Sequence, residues 1–233
     1  MKIKGFQKLS LIDYPGKLVC SLFVVECNFK CGFCHNPELV LNNDKNYYPE
    51  KKILDFLEKR KNHLEGVCIS GGEPLLNLNK DFLKKIKELG YLIKIDTNAM
   101  FPEKIKELID EKLVDYLAID IKSNKKNYEK ITNSKVDFDK LEKSIKLASL
   151  LDDYEFRTTI IKGIHTKEEL KEIAIWLNKI IGKKPKKFCL QGFKNTGNLL
   201  DKSFEDIKDT SKDFLIELKD LIKDYFEEVV VRV

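Results

Sequence analysis

Short apolar runs alternate with amphipathic stretches along almost the whole chain. The runs are rich in Val, Ile and Leu and are bounded by polar or glycine residues, which predicts β-strands. The predicted strands cover residues 17–25, 67–70, 91–97, 114–121, 154–162 and 187–191. Between them, apolar residues recur at helical spacing. The predicted helices cover 49–64, 80–89, 102–113, 139–151, a segment opened by Thr166, and 212–226, followed by a strand-like tail over 227–233.

This alternation predicts an α/β fold. Strands that alternate with helices form right-handed βαβ units and a parallel sheet. Six such units follow one another without a linker-like segment, so we expect one continuous domain over residues 1–233, shaped as an open or partial barrel. Thr166 is expected to cap its helix, and Glu169, three residues later, to complete a capping box. The stretches 27–46 and 122–135 are expected to be loops.

Polar residues cluster at the carboxyl ends of the predicted strands. In parallel α/β folds this edge of the sheet carries the chemistry. Each of the six strands delivers polar groups to it, which predicts a single active-site mouth. The residues concerned are Cys27, Gly71, Gly72, Glu73, Asp96, Thr97, Asp120, Lys122, Arg157 and Gln191.

Composition narrows the class of protein. Of the 233 residues, 42% are hydrophobic and 35% are charged, which excludes collagen-like and disordered chains. No apolar run approaches the 18 residues of a membrane span, and the first residues lack the apolar core of a signal peptide, so we expect a cytoplasmic protein. The net charge of +5 is spread along the chain, so no nucleic-acid partner is expected.

Three of the six cysteines form a C-x3-C-x2-C motif at Cys27, Cys31 and Cys34. Cysteines of a cytoplasmic protein are kept reduced, so a disulfide framework is not expected. Three thiolates can hold three irons of a 4Fe-4S cluster, which usually takes four cysteines, so one iron would keep open positions for a substrate or cofactor. The other cysteines lie in apolar runs and are expected to be buried core residues.

A structural zinc site is the main alternative for this motif. Its ligands would be Cys27, Cys31, Cys34 and His35, and the chain would then be a non-enzymatic metal-binding module. Against it, adjacent residues such as Cys34 and His35 rarely point at one metal. A redox dithiol is a weaker alternative, because the motif lacks the context of a thioredoxin.

The cysteine motif, with Phe33 before its last cysteine, resembles that of the radical S-adenosylmethionine (SAM) superfamily. The segments Gly5-Phe6-Gln7, 10–16 and 34–39 are similar to those of glycyl-radical-enzyme activating proteins, in particular those for anaerobic ribonucleoside-triphosphate reductase. The resemblance extends from about residue 3 to residue 193. It implies a partial (β/α)6 barrel, open on one side, with a cluster loop at 26–40 and a C-terminal helix and strand at 211–233.

The resemblance also implies an oxidoreductase chemistry. SAM would bind the open iron of a single 4Fe-4S cluster, and one electron would cleave it to methionine and a 5′-deoxyadenosyl radical. The implied protein partners are a glycyl radical enzyme, formate-lyase-like or ribonucleotide reductase-like, and a flavodoxin- or ferredoxin-type electron donor. The cofactor carries the reaction, while the protein orients it and excludes water.

Residue by residue, the resemblance implies a SAM site. Phe33 would lie near the adenine, Gly-Gly-Glu at the SAM amino group, and Arg157 at its carboxylate. The implied SAM residues are Phe33, His35, Gly71, Gly72, Glu73, Asp120, Lys122, Arg157 and Gln191. Ordinary alternatives stay open: loop packing for Phe33, a strand-ending turn for the glycines, and an ion pair of Arg157 with Glu155, Asp120 or Asp96.

Two further assignments follow from the resemblance. Asp96, Thr97 and Asp120 match residues that help to bind a monovalent cation beside the SAM carboxylate in pyruvate formate-lyase activating enzyme, and hard oxygen ligands suit such a cation. Asp13 matches a substrate-facing segment. Alternatively, the first two carboxylates cap helices or form ion pairs, and Asp13 belongs to a turn before Tyr14-Pro15-Gly16.

A rival within the superfamily is an enzyme that acts on a small molecule, such as 7-carboxy-7-deazaguanine synthase. That group usually has a Gln-Gly-Glu-Gly segment upstream and Cys-Asp after the cluster. This chain has Tyr14-Pro15-Gly16 and Cys34-His35-Asn36, which favours the activating proteins. Formate-lyase activators carry a late His near the adenosine, and Gln191 takes that place here.

Overall fold

The structure is a computed structural model that describes residues 1–42 and 44–233. Its centre is one sheet of eight strands that follow each other in chain order. β1 is antiparallel to β2, and every later neighbour is parallel. The strands are β1 Ile3–Ser10, β2 Val19–Val24, β3 Gly66–Gly71, β4 Leu92–Thr97, β5 Tyr116–Asp120, β6 Asp153–Ile160, β7 Lys187–Gly192 and β8 Glu228–Arg232.

Helices connect the parallel strands, as the alternating pattern predicts. They are α1 Pro37–Leu41, α2 Glu50–Glu58, α3 Lys80–Glu88, α4 Pro102–Asp110, α5 Tyr128–Thr132, α6 Phe138–Ala148, α7 Lys167–Ile181 and α8 Lys212–Ile222. Within the described ranges, β1 and β8 do not pair with each other, so the sheet stays open at that side. The predicted α/β class and the open, partial barrel are confirmed.

Three of these strands and α-helices were not predicted. β1 runs over Ile3–Ser10, where exposed Gln7, Lys8 and Leu9 hide the strand pattern because this strand lies at the edge of the sheet. α1 and α5 lie inside stretches that were expected to be loops. Pro37 at the first turn of α1 is the signal that could have revealed that helix.

The start of α7 confirms one part of its predicted cap and corrects the other. The Thr166 side chain accepts a hydrogen bond of 3.1 Å from the backbone N–H of Glu169. The Glu169 carboxylate does not return to the cap, so the predicted capping box is wrong. It is buried and accepts hydrogen bonds from the Ser123 hydroxyl and the backbone N–H of Asn124 instead. Glu169 therefore ties α7 to the segment that follows β5.

The two faces of the sheet differ in chemistry. On β4, Ile93 and Ile95 belong to the main apolar core, while Lys94 and Asp96 alternate with them and occupy the other face. The same alternation puts Arg157 of β6 on that second face. A parallel sheet is usually apolar on both faces, so buried charges inside this one indicate a functional site. None of the described helices is long and apolar enough to cross a membrane.

Candidate active site

A cavity of about 180 Å³ lies where the carboxyl ends of β3 to β7 meet the loop after β2. All residues that were predicted to contact the cluster, SAM or a cation line it. These are Cys27, Cys31, Phe33, Cys34, His35, Gly71, Gly72, Glu73, Asp96, Thr97, Asp120, Lys122, Arg157 and Gln191. The prediction of a single mouth at this edge of the sheet agrees with this geometry.

The cysteine loop is tightly folded around its sulfur atoms. Cys34 N–H donates to the Cys31 carbonyl over 3.0 Å, and Phe29 N–H approaches the Cys27 sulfur at 3.4 Å. Burial raises the pKa of Cys27 to about 12 and that of Cys31 to about 11. The unliganded side chains are therefore neutral thiols at pH 7, and binding of a metal cluster must release their protons.

The donor set fits a 4Fe-4S cluster better than a zinc ion. Zinc needs its ligands within about 2.3 Å of one point. Among residues 1–42 and 44–233, no three His, Cys, Asp or Glu side chains gather closely enough to hold one ion. A four-iron cluster instead takes one thiolate per iron. The remaining cysteines, Cys20, Cys68 and Cys189, are buried and do not line the cavity, so no fourth cysteine is in place.

His35 and Phe33 form one wall of the cavity. The His35 ring stacks on Phe193, with ring centroids 5.6 Å apart, and burial lowers the pKa of His35. Its Nε2 atom is buried and has no hydrogen-bond partner within the described part of the chain. A buried polar atom without a partner is costly, so this nitrogen is a ready contact for a ligand in the cavity.

Glu73 is buried at the wall of the cavity, just after the end of β3. Its carboxylate accepts hydrogen bonds from Thr97 Oγ1 (2.7 Å), Asn98 N–H (2.7 Å) and Leu75 N–H (3.0 Å). Burial raises the pKa of Glu73 to about 7, against the opposing effect of these donors. The carboxylate therefore joins the ends of β3 and β4. Its contact with a SAM ammonium group stays a prediction.

Five charged side chains form a chain of ion pairs. Four of them line the cavity, and the fifth, Lys94, pairs with Asp96 from outside the lining. Arg157 binds Asp120 through Nε and Asp96 through Nη1, the latter at 3.1 Å. Lys122 Nζ lies 2.9 Å from Asp120, and Lys94 Nζ contacts Asp96. The structure thus contains the internal ion pairs that were the alternative for Arg157. Three cations and two anions leave one positive charge in excess, which suits the carboxylate of a bound ligand.

Sequence reasoning missed two members of the site. Lys94 precedes Asp96 by two residues in a predicted strand, and this alternation is the signal that could have placed both on one face. Asn98 follows β4 directly, where polar residues were already suspected. Its amide Nδ2 donates to Asn28 Oδ1 over 2.8 Å and lies 3.8 Å from the Cys27 sulfur, so it links β4 to the cysteine loop.

Asp13 does not line the first cavity. It lines a second one of about 840 Å³, which shares His35, Asp96, Arg157 and Gln191 with the first. Asp13 accepts a hydrogen bond from the Ser21 hydroxyl, and its N–H donates to Ser10 Oγ, so it also belongs to a turn.

The second cavity lies at the open side of the sheet. Ile12 and Asp13, from the β1–β2 connection, form one wall, and Arg232 and Val233, from the end of β8, form another. Because β1 and β8 do not pair in the described residues, this opening leads from the surface towards the cysteine loop. Ile12 is 82% exposed at its edge.

Comparisons with known proteins agree on one family. Residues 21–177 match the Radical SAM superfamily. A candidate glycyl-radical enzyme activating enzyme from Methanocaldococcus jannaschii is 33% identical over 99% of this chain and 95% of its own length. A pyruvate formate-lyase-activating enzyme from Staphylococcus epidermidis is 26% identical over 76% of each chain.

A solved structure supports the fold. The Streptococcus suis protein SuiB, crystallised with S-adenosylmethionine, superimposes with a TM-score of 0.69 at 20% identity. The match covers 89% of this chain and 48% of SuiB, so the present chain spans about half of that protein.

Proposed function

This chain belongs to the radical SAM superfamily, and we propose that it activates a partner enzyme by generating a radical on one of that enzyme's glycine residues. The superfamily uses a 4Fe-4S cluster and SAM, and here Cys27, Cys31 and Cys34 would hold the cluster. When bound, the two groups supply one-electron reductive cleavage of SAM and hydrogen abstraction from a nearby C–H bond.

The side chains of the first cavity suit the parts of SAM. The chain of ion pairs formed by Lys94, Asp96, Asp120, Lys122 and Arg157 has one excess positive charge, which would attract the SAM carboxylate. His35, with its unpartnered Nε2, and the buried ring of Phe33 would enclose the adenosine. Gln191 lies between the two cavities and would contact the same end of the ligand.

One observation carries the proposal of a protein substrate. The second cavity is large, opens at the unpaired edges of the sheet and joins the first cavity at Arg157 and Gln191. A backbone glycine can reach a reaction centre inside a barrel only if an extended loop enters, and this opening provides the path. The 33% identity to a candidate activating enzyme over almost the full length of both chains supports the same substrate class.

The decisive experiment uses anaerobic, cluster-loaded protein with SAM, a flavodoxin- or ferredoxin-type donor, and a glycyl radical enzyme from the same genome. We expect 5′-deoxyadenosine to form, and an electron paramagnetic resonance doublet to appear on the partner. A partner with its radical glycine changed to alanine is the control. If 5′-deoxyadenosine forms but no partner acquires the doublet, the protein-substrate proposal is wrong, and a small-molecule substrate replaces it.

A surface variant tests the docking of the partner. Ile12 is exposed beside the second cavity, next to exposed Leu11 and Leu9. Burying such a side chain contributes about 1.5 to 3 kcal/mol, so Ile12→Asp should raise the KM for the partner at least about tenfold. Partner-independent SAM cleavage should not change. Steady-state activation at several partner concentrations measures the effect.

The matched control is Ile175→Asp, since Ile175 is also exposed but lies on α7, away from the opening. Its KM for the partner should equal that of the wild type. Equal KM values for Ile12→Asp and Ile175→Asp would mean that the partner docks elsewhere.

A further inference from the structure

The predicted monovalent-cation site does not fit the structure. Both carboxylate oxygens of Asp96 are bound, one by Lys94 and the other by Arg157. Both oxygens of Asp120 are bound as well, by Arg157 and Lys122. Thr97 Oγ1 donates to Glu73 and accepts from Ala99 N–H at 3.0 Å. Each proposed ligand atom already has a donor from the chain itself.

Lys94 is the unusual member of this arrangement. Its side chain is 2% exposed, whereas lysine is rarely buried without a partner. The ammonium group contacts Asp96, lies 3.8 Å from the Cys68 sulfur and sits 5.7 Å from the centre of the Tyr116 ring. An ammonium over an aromatic face is a favourable cation–π arrangement. These contacts hold the positive charge of Lys94 in a fixed position beside the Asp96 carboxylate.

Counting charges shows why a further cation is unnecessary. Lys94, Lys122 and Arg157 carry three positive charges, and Asp96 and Asp120 carry two negative ones. The SAM carboxylate would balance the one excess positive charge of these five side chains. The ammonium and sulfonium of SAM are separate charges, and the Glu73 carboxylate lines the same cavity. An added potassium ion would leave an excess charge among the five side chains again, and an uncompensated buried charge is strongly unfavourable.

We infer that the buried ammonium of Lys94, together with Arg157, takes the place of a bound monovalent cation, so that this protein binds SAM without one. Lys94 is a positioning residue: it shares Asp96 with Arg157, so Asp96 does not neutralise Arg157 alone and the guanidinium group keeps positive charge for the SAM carboxylate. The inference concerns the SAM site alone and does not depend on the identity of the partner.

The wild-type protein gives the first test. Cluster-loaded protein is titrated with SAM, and its thermal midpoint is recorded, in potassium chloride and in choline chloride of equal ionic strength. Choline is too large to enter a site formed by carboxylates, so it cannot replace a bound potassium ion. If the protein binds no such ion, the Kd for SAM in the two salts should differ less than about twofold. A Kd that rises about tenfold in choline, or a midpoint that falls with it, would overturn the inference.

The second test removes the ammonium. Lys94→Met keeps much of the apolar volume, and its Kd for SAM in choline should rise about tenfold, equivalent to about 1.4 kcal/mol. Potassium should restore most of the affinity, because Asp96 then has a free oxygen. A Lys94→Met protein that binds SAM normally in choline, or that potassium does not rescue, would contradict the inference.

Lys87→Met is the matched control. Lys87 also pairs with a carboxylate, that of Asp115, but lies outside both cavities. Its Kd for SAM should equal that of the wild type in both salts. If Lys94→Met does not fold, the comparison of the wild-type protein in the two salts still shows whether SAM binding needs a monovalent cation. Since no partner enzyme is present in these measurements, a failed glycyl-radical assay would leave their outcome unaffected.

Discussion

Replacing Cys31 with alanine is expected to abolish cluster binding and, with it, SAM cleavage. Cys31 lies at the centre of the motif and lines the first cavity, and no other cysteine in the described ranges is placed to substitute for it. Loss of residues that merely support metal ligands costs about 10- to 100-fold in metal affinity or activity. Loss of a ligand itself should therefore reduce 5′-deoxyadenosine formation by at least about 100-fold.

Cys20→Ala is the matched control, because Cys20 is also buried but belongs to the core on β2. The two variants make the same chemical change, so a general effect of removing a buried thiol would appear in both. Iron and sulfide content, together with the visible absorption of the reconstituted proteins, measure cluster loading. Normal iron content in Cys31→Ala, with the cleavage of SAM retained, would show that this cysteine is not a ligand.

The position of the site follows from local sequence signals. Each parallel strand ends in polar residues, and the topology of a parallel sheet brings those ends to one edge whatever the details of packing. That is why Gly71, Asp96, Asp120 and Arg157 could be placed at one mouth before any coordinates were known. The spacing of the three cysteines is also a local feature, since it lies within one short loop, and it predicts the ligands of the 4Fe-4S cluster.

The pairing of side chains within the site follows from contacts between distant segments. The sequence does not show that Thr97 and Asn98 donate to the Glu73 carboxylate, because this contact depends on the packing of β3 beside β4. A lysine is usually exposed, and the burial of Lys94 becomes clear only from the packed structure. Glu169 fits a capping box locally, and yet Ser123, 46 residues away, binds it.

These pairings share one physical origin. A local pattern records the preferences of neighbouring residues, whereas a buried charge takes the best partner that the whole fold offers. The sequence pattern therefore predicts which residues reach the site, and the register between strands decides which of them remain available to a ligand. Asp96 and Asp120 show both influences, because each pairs with a lysine two residues away in the sequence and also with Arg157 of β6, which is 61 and 37 residues away.

The second large effect is expected from Gly72→Ala. The backbone of Gly72 passes directly against that of Glu26, the residue before Cys27. Gly72 N–H donates to the Val24 carbonyl at 2.8 Å, and the next N–H donates to the Glu26 carbonyl at 2.7 Å. A methyl group on Gly72 would overlap the Glu26 carbonyl oxygen and lie 2.8 Å from its carbonyl carbon.

This overlap cannot be relieved by a side-chain rotation, because the opposing atoms belong to the backbone. The strand end or the cysteine loop must move, and such overpacking typically costs about 1 to 3 kcal/mol. We expect Gly72→Ala to lower the free energy of unfolding by about 3 kcal/mol. Because the displaced loop carries Cys27, cluster loading and SAM binding should be lost together.

Gly90→Ala separates steric overlap from backbone strain. Gly90 has a φ of +88° after α3, but no atom lies within 4 Å of the position of an added methyl group. This variant should cost only about 1 to 2 kcal/mol, from the left-handed conformation, and should bind SAM normally. Urea unfolding and SAM titration of both proteins give the comparison. If Gly72→Ala proved as stable as Gly90→Ala and still bound SAM, the close contact between the Gly-Gly-Glu turn and the cysteine loop would not exist in solution.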